Sequence, residues 1–427
     1  MELKPGYNRG EIGAIPSDWM VTHLGEIACI SAGGTPRRSN AKYWNGDIPW
    51  VTTSEVNFGI ISEAGQSITR DGLTNSAARV LPRGTLVMAL YGQGKTRGKV
   101  AILGIAAATN QACAAISLKP GVCREFVFHF LASQYHAIRN RSNTGNQENL
   151  NSSLVRLIPV ALPPNSEQRA IAAALSDVDA LLDGLTRLIA KKRDIKQAVM
   201  QQLLTGGTRL PAFTSEWRVR RLGDHATFLK SGAYARAELS SAKGTKYLHY
   251  GDIHVASEVR LDARATTMPF LDESRARRLD GLIGGDVVFV DASEDMIGIG
   301  KSVEILQADD VRVVAGLHTI AVRFDKTVLA DGFKAYLQFC PPFVAHLRRL
   351  AAGTKVYATT RGHIASVEMP LPDVQEQTAI ATVLSDMDAE LAALEARRAK
   401  TQALKQAMMQ ALLTGRIRLV SREPAHA

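Results

Sequence analysis

The sequence predicts an α+β chain in which two globular α/β domains are separated by two long helices that form an antiparallel coiled coil. Three observations support this fold class: a long segment that occurs twice, regularly spaced apolar residues within each copy, and strand-like apolar patterns elsewhere. The prediction is therefore an internal duplication with pseudo-twofold symmetry. Its globular segments are 1–160 and 211–370, and its helical segments are 161–210 and 371–427 with a short tail.

The repeated segment is the strongest signal. LPPNSEQRAIAAALSDVDALLDGL (162–185) matches LPDVQEQTAIATVLSDMDAELAAL (371–394), and the match continues at constant spacing to LLTG in both copies. A weaker match pairs Trp19 with Trp217, each followed by a Leu-Gly-acidic sequence. The globular interiors barely resemble each other, so we expect a shared role for the helices and different roles for the globular parts.

Each copy has the end signals of a long helix. Leu-Pro precedes the first turn, Glu167 or Glu376 lies within that turn, and Gly206 or Gly415 ends the helix. Apolar residues spaced alternately by four and three predict a coiled-coil seam. In the first copy these are Ile171, Leu175, Val178, Leu182 and Leu185, and in the second Ile380, Leu384, Met387, Leu391 and Leu394. Beyond a stutter, the seam is expected to resume out of phase at Ile195, Val199 and Leu203 in the first copy and at Leu404, Met408 and Leu412 in the second.

Composition limits the function classes. The 427 residues carry a formal net charge of +10, which is compatible with a polyanionic partner without establishing one. No apolar run is long enough to cross a bilayer, and the first residues lack the apolar core of a signal peptide, so we expect a cytoplasmic protein without a membrane partner. The cysteines and histidines show no C-x-x-C or H-x-x-x-H spacing, so no metal site is expected.

The run ALYGQGKTRGKV (89–100) resembles a phosphate-binding loop but lacks its first glycine, because Ala89 occupies that position. Apolar runs on both sides predict strands, so the segment is interpreted as a basic hairpin loop with Lys95, Arg97 and Lys99. A second near match, IGIGKSVEI, places Lys301 at a corresponding point. Contact with DNA phosphates and an ordinary solvated turn both remain open.

Polar loops that precede the helices are further candidates for DNA contact, because Arg, Asn and Gln can bind base edges and Lys and Arg neutralise phosphates. In the first half these candidates are Arg139, Arg141, Asn143 and Gln147, and in the second half Arg348, Arg349, Lys355, Tyr357 and Arg361. Catalytic residues are not predicted. The sequence DIPW (47–50) lacks the second proline of the D-P-P-[YFW] motif of amino-methyltransferases, and no G-x-S-x-G occurs.

These features resemble the specificity subunits of type I restriction-modification systems. The markers are IPSDW, GGTPRRSNAKYWNGDIPWVTT, YGDIH and the twice-occurring LPxxxEQxxIxxxLSDxD followed by LLTG, in the family's order across essentially the whole chain. The resemblance implies that each globular segment is a target recognition domain for half of a split site in double-stranded DNA. It implies that the helices set the spacing and dock two methyltransferase (modification) subunits.

The resemblance also implies that the chemistry resides elsewhere. S-adenosylmethionine would be bound by the modification subunits, and ATP with Mg would be used by restriction or translocase subunits, leaving no cofactor in this chain. Two alternatives remain at this stage. One is the same subunit in a methylation-only or fused-nuclease system, and the other is a coiled-coil scaffold with protein-binding end domains.

Overall fold

A computed structural model describes residues 5–92, 94–141, 149–256, 258–296, 298–308, 310–351 and 357–419. The chain divides into two compact units. Unit 1 contains Met1–Thr186 and Arg397–Ala427, and unit 2 contains Arg187–Ala396. Each unit therefore combines one globular part with the beginning of one long helix and the end of the other.

Among its described residues, unit 1 has twelve strands and five short α-helices before the first long helix. The strands are β1 (Tyr7–Gly10), β2 (Gly13–Pro16), β3 (Met20–His23), β4 (Ala28–Ala32), β5 (Trp44–Val51), β6 (Ile60–Ile61), β7 (Ser67–Ile68), β8 (Leu86–Ala89), β9 (Val100–Leu103), β10 (Ala108–Thr109), β11 (Cys113–Leu118) and β12 (Pro159–Leu162). The short helices are α1 (Leu24–Ile27), α2 (Arg70–Thr74), α3 (Arg124–Ser133), α4 (Tyr135–Arg139) and α5 (Ser152–Arg156). The first long helix is α6 (Asn165–Thr205).

The main sheet of unit 1 has the order β4-β11-β8-β9-β6, and a smaller sheet has the order β10-β5-β7. All four residues of β8 and all four of β9 are buried, because the sheet is covered on both faces. Leu86 and Met88 pack with α3 and the start of α6, whereas Val87 and Ala89 pack with Val51 and its neighbours. This alternation follows from the period of two along a strand.

Unit 2 repeats this set of elements. Its strands are β13 (Arg218–Arg221), β14 (Ala226–Phe228), β15 (Thr245–Leu248), β16 (Arg260–Asp262), β17 (Phe270–Leu271), β18 (Val287–Val290), β19 (Ala292–Ser293), β20 (Ser302–Gln307), β21 (Val313–Ala315), β22 (Thr319–Phe324), β23 (Tyr357–Ala358) and β24 (Glu368–Leu371). Its short helices are α7 (Tyr250–Val255), α8 (Glu273–Ala276), α9 (Pro341–Leu350) and α10 (Arg361–Ala365), and the second long helix is α11 (Val374–Leu412).

The sheets of unit 2 have the orders β14-β22-β18-β20-β16 and β17-β15-β21. These correspond strand by strand to the two sheets of unit 1, including the parallel edge pairs β6–β9 and β16–β20. The shared topology agrees with the predicted internal duplication, in which the globular parts diverged in sequence. The apolar alternation that specifies a sheet can be kept while nearly every side chain changes.

The long helices confirm the predicted pairing within each unit. In unit 1 the start of α6 lies beside the end of α11, where Lys405 pairs with Asp179. In unit 2 the start of α11 lies beside the end of α6, where Lys192 Nζ lies 2.7 Å from Glu390 Oε1. The two helices are thus antiparallel. Gly206 and Gly415 follow the helices with φ of 69° and 67°, the left-handed conformation typical of a helix end.

The residues of the predicted apolar seam differ in how deeply they are buried. Ile171, Leu175, Ile380 and Leu384 are buried, and each packs into the core of its own globular part. The other predicted seam residues are half-buried except for Leu185, which is buried: Val178, Leu182, Met387, Leu391 and Leu394. The predicted seam is wrong at Ile195 and Leu404, which are 40% and 55% exposed. The next positions of the resumed seam are confirmed, because Leu203 and Leu412 are buried and Val199 and Met408 are half-buried against the cores.

Candidate nucleic-acid interface

The basic hairpin predicted from GQGKT is present in unit 1. β8 and β9 pair antiparallel, and the backbone N–H of Gly98 donates to the Ala89 carbonyl at 2.8 Å to close the loop. Lys95 is exposed at the loop. Arg97, in contrast, is only 3% exposed, so the expectation that its side chain faces solvent is wrong.

Two side chains of helix α4 donate hydrogen bonds to backbone carbonyls of this loop. Tyr135 Oη donates to the Lys95 carbonyl at 2.7 Å, and Arg139 Nη1 donates to the Arg97 carbonyl at 3.4 Å. Unit 2 repeats the arrangement, because Arg348 Nε in α9 donates to the Met296 carbonyl at 3.0 Å in the loop between β18 and β20. Arg139 and Arg348, two of the arginines predicted before the long helices, therefore lie at the hairpin loops, where each donates a hydrogen bond to a backbone carbonyl.

The hairpin lysines make a second shared contact. Lys99 Nζ donates to Asn57 Oδ1 at 2.7 Å, and Lys301 Nζ donates to the His254 carbonyl at 2.6 Å. Lys99 and Lys301 occupy matching positions before β9 and β20, as the two strand registers show. Each lysine ties its hairpin to the loop that follows the central strand of the smaller sheet.

In both units the first backbone N–H of that loop is capped by a carboxylate. The Thr52 N–H donates to Glu55 Oε2 at 2.6 Å, and the His249 N–H donates to Asp252 Oδ2 at 3.0 Å. In each case a carboxylate three residues later caps the first residue after the strand. We call these two stretches, 52–57 and 249–254, the capped loops. Sequence comparison missed their equivalence, although the acidic residue after Trp50-Val or Tyr247-Leu is a usable signal.

The capped loops keep the carboxylate and a buried aliphatic residue after it, Val56 or Ile253, but their first side chains differ. In unit 1 the loop begins Thr52-Thr53-Ser54, whereas in unit 2 it begins His249-Tyr250-Gly251. Short hydroxyl side chains thus stand where the other unit has aromatic and imidazole rings. The two loops share the capping hydrogen bond, although residues from Tyr250 onward form α7 and residues 53–55 form a turn. A shared cap with different polar side chains suits two surfaces that recognise different ligands of the same class.

Three loops of unit 2 converge on Tyr250. The His318 ring packs edge-on against Tyr250 with 5.4 Å between ring centroids, and His318 Nδ1 lies 3.1 Å from Asp291 Oδ1. His318 has a φ of 56°, which is uncommon for a residue with a side chain. Tyr250, His254 and His318 line a cavity of about 1330 Å³ together with Lys301 and Arg348. Burial lowers the pKa of the adjacent His249, with Arg236 and His318 acting in the same direction against Asp252.

The other residues predicted to contact DNA lie in four different settings. Arg349 Nη2 lies 3.3 Å from His346 Nδ1, and Arg361 Nη2 donates to the Leu229 carbonyl at 2.9 Å. Tyr357 pairs with Ser293 through β19 and β23, which places it beside the unit 2 hairpin loop. Arg141 is directed elsewhere, since its Nη2 lies 3.0 Å from Glu11 Oε1. Three predicted residues lie outside the described residues: Asn143, Gln147 and Lys355.

The start of each long helix carries a buried carboxylate that the sequence analysis treated only as a first-turn residue. Glu167 is 1% exposed and accepts from Arg418 Nε at 2.6 Å, from Arg418 Nη2 at 2.7 Å and from Trp19 Nε1 at 3.2 Å. Glu376 is equally buried and accepts from Arg209 and from Trp217 Nε1, the latter at 3.1 Å. Each arginine follows the end of the opposite helix, so we call these two clusters the terminal clamps.

A second shared cluster involves the last aspartate of each SDxD motif. Asp179 pairs with Lys405 and lies 3.9 Å from the Nδ1 atom of buried His129. Asp388 pairs with Lys196 and accepts from Tyr336 Oη at 3.1 Å. In both units the aspartate joins a lysine of the opposite helix to a buried ring of the globular part. The repeated motif therefore specifies the helix junction and not the candidate ligand surface.

Comparisons with known proteins agree with this architecture. Residues 16–195 match the family described as Type I restriction modification DNA specificity domain. The Type I restriction enzyme MjaVIII specificity subunit of Methanocaldococcus jannaschii is 22% identical over 95% of this chain and 94% of that protein. The MjaIX specificity subunit of the same organism is 26% identical, over 51% of this chain and 54% of that protein.

The fold has a solved counterpart. The crystal structure of the Type-I restriction-modification system S subunit from M. genitalium aligns with a TM-score of 0.59 at 14% identity, covering 96% of this chain and 98% of that one. Two α/β units with the same strand order and two long antiparallel helices are therefore the fold that this chain shares with that subunit. Over nearly its whole length the chain is similar to specificity subunits of type I restriction-modification systems, and residues 16–195 match the DNA specificity domain of that family. Among the described residues, no helix has the length and apolar character that crossing a membrane requires.

Proposed function

We propose that the protein binds a two-part, gapped and asymmetric DNA sequence, with one half-site for each globular part. The observation that carries this proposal is the pair of capped loops, which share a capping carboxylate and a supporting lysine but present different side chains. Half-sites bound by Thr52-Thr53 and by Tyr250 would differ in sequence. The proposal assigns recognition to segments 1–160 and 211–370 and spacing to the two long helices.

The candidate contacts within each unit have different tasks. Lys95 is exposed on its hairpin loop and suits contact with a phosphate, which positions a protein without selecting a sequence. Arg139, Arg348 and Lys301 donate to loop carbonyls and Lys99 donates to the Asn57 side chain, so they would act on DNA through the loops they position. Tyr250 and His318 present ring edges and a ring nitrogen at a cavity, which suits hydrogen bonds to base edges.

The long helices are proposed to dock two methyltransferase subunits that bind S-adenosylmethionine, together with restriction or translocase subunits that use ATP with Mg. Exposed apolar residues on α6 support a docking role. Leu181, Leu188 and Ile195 are 42%, 40% and 40% exposed, and their spacing of seven places them along one side of the helix. A stripe of this kind is typical of a surface that pairs with another protein. We propose that this assembly works in the cytoplasm.

The experiment that tests the proposal is a genome-wide map of modified adenines in the source cell, with and without this gene. We expect loss of one gapped motif whose two halves differ in sequence. Co-purification of a methyltransferase subunit with the full-length chain is the companion measurement. A normal motif map in the deletion strain, combined with purification of the chain without a methyltransferase, would contradict the proposal and favour a scaffold.

A further inference from the structure

The loop after β4 in unit 1 carries an arginine with an unusual environment. The Arg38 guanidinium lies 4.4 Å from the centroid of the Trp44 ring and 4.9 Å from that of Trp50. Its Nη1 atom donates to Gln66 Oε1 at 2.8 Å, which is its one hydrogen bond among the described residues. Arg38 is nevertheless exposed to solvent. Two rings and one amide therefore hold a cation at the surface without neutralising it.

The backbone beneath Arg38 is fixed as firmly as its side chain. Trp50 is 1% exposed, and its indole N–H donates to the Gly34 carbonyl at 2.9 Å, while Trp44 Nε1 donates to the Arg37 carbonyl at 3.3 Å. A Cβ added at Gly34 would lie 2.2 Å from the Ala78 nitrogen, so only glycine permits this close approach. Loop and side chain are thus both held in place before any ligand arrives.

A fixed arginine has a particular chemical use. The guanidinium presents parallel N–H donors that match a pair of acceptor atoms, and stacking on an aromatic ring reduces the rotamer freedom that binding would otherwise remove. No carboxylate is recorded in contact with Arg38 among the described residues, whereas many surface arginines of this chain, such as Arg275, pair with one. The site is therefore built to bind a planar pair of acceptors.

We propose that Arg38 is a DNA-contacting residue of the first globular part, with its guanidinium bound to a pair of acceptors on the duplex. This inference rests on the proposed DNA-binding function and deepens it. Two sources supply such a pair: two phosphate oxygens, or O6 and N7 of a guanine in the major groove. Trp44, Trp50 and Gln66 are positioning residues that hold the guanidinium ready.

The test uses the full-length chain, purified from its own cells with the subunits that accompany it. Binding is measured by fluorescence anisotropy with two labelled duplexes, one carrying the motif found in the methylation map and one with that motif scrambled, over a salt series. The variants are Arg38→Ala, Arg38→Lys and Gln66→Ala. The matched control is Arg83→Ala, since Arg83 is an exposed arginine at the opposite end of the main sheet.

If Arg38 binds phosphate, Arg38→Ala weakens binding to both duplexes and lowers the slope of log affinity against log salt by about 0.9, with Arg38→Lys close to the wild type. If it binds guanine, both substitutions weaken binding to the motif by about 5- to 150-fold and leave the scrambled duplex unaffected. Gln66→Ala produces a smaller loss of the same type. Arg83→Ala changes neither affinity.

Wild-type affinity and salt slope in all three variants would overturn this inference while leaving the proposed function intact. Absence of salt-dependent binding by the wild-type chain would instead contradict the proposed function itself. Thermal unfolding of each variant accompanies the titrations. If Arg38→Ala alone unfolds early, Gln66→Ala and Arg38→Lys decide, because they keep the cation and leave the ring stack occupied.

Discussion

At the scale of single residues, the terminal clamp of unit 1 places a carboxylate almost out of contact with water. Glu167 is 1% exposed, whereas Arg418 is 30% exposed. Replacing Arg418 with Ala leaves the buried charge with only the Trp19 indole as a side-chain donor. We expect a loss of about 3 kcal/mol in the free energy of unfolding, measured by urea denaturation. The Glu167→Gln variant serves as the control, because it keeps a hydrogen-bonding group and removes the charge.

The Arg418 and Arg209 substitutions can be compared directly, since each arginine caps the opposite helix in its own unit. Arg418→Ala is expected to increase hydrogen exchange in unit 1 and Arg209→Ala in unit 2. Equal exchange across both units in either variant would show that the clamps do not act locally.

A second residue-scale prediction concerns pH. Burial lowers the pKa of His129 to about 4, with Lys405 adding to this effect and Glu125 opposing it. An unfolded histidine titrates near pH 6.5, so between about pH 6.5 and 4 the unfolded chain binds a proton that the folded chain does not. Stability is therefore retained above pH 6.5 and falls as the pH is lowered, by about 3 kcal/mol for this group.

The control for this pH effect is His129→Gln. The free energy of unfolding of the variant should decline less than that of the wild type between pH 6.5 and 4, because the titrating group is gone. Parallel decline in both proteins would mean that His129 takes up its proton in the folded state. Tyr336 occupies the corresponding place in unit 2. Burial raises the pKa of its hydroxyl, so the Tyr336 side chain stays neutral over this pH range.

At the scale of elements, the long helices belong to both units, and their length should control the spacing of the two half-sites. Removing seven residues, about two turns, from the middle of both helices preserves the apolar phase. We expect the methylated motif to keep both half-sites with a shorter gap, or methylation to be lost. The measurement is the map of modified adenines. Altered half-site bases at an unchanged gap would contradict this division of roles.

The same helices show what sequence patterns can and cannot predict. Their ends, antiparallel pairing and inner apolar residues followed from the repeat, because spacing and glycine positions are local signals. The exposure of Ile195 and Leu404 could not be predicted from the repeat, because periodicity identifies an apolar stripe without identifying what each residue packs against. Arg97 shows a related limit: a loop cation looks solvated in sequence, and only the tertiary fold buries it.

At the scale of the whole molecule, the two globular parts share a strand order that sequence comparison did not detect. The equivalence of Trp50 with Tyr247, and of the capped loops that follow them, depends on partner strands far away in sequence. Arg38 escaped notice for the same reason, because its two tryptophans and Gln66 are brought together only by the smaller sheet and the loops around it. Sequence patterns therefore predicted the duplicated fold but not the capped loops or the environment of Arg38.

This shared frame yields a prediction about specificity. Replacing His318 with Ala, or Tyr250 with Phe, removes polar groups from unit 2 only. We expect the methylation map to show relaxed bases in one half-site while the other half-site and the gap stay unchanged, with about 1–3 kcal/mol of discrimination lost at each affected base pair. Thr53→Ala in unit 1 is the reciprocal variant and should relax the other half. Relaxation of both half-sites by a single substitution would contradict independent recognition.

The terminal clamp also bears on how the chain is made. Arg418 follows α11, yet it completes unit 1, whose globular part precedes α6. A ribosome therefore synthesises both globular parts and both long helices before unit 1 can acquire its final contacts, whereas unit 2 needs only residues up to Ala396 within α11. A nonsense codon shortly before Arg418 should spare unit 2, the later-encoded one, and damage the one made first.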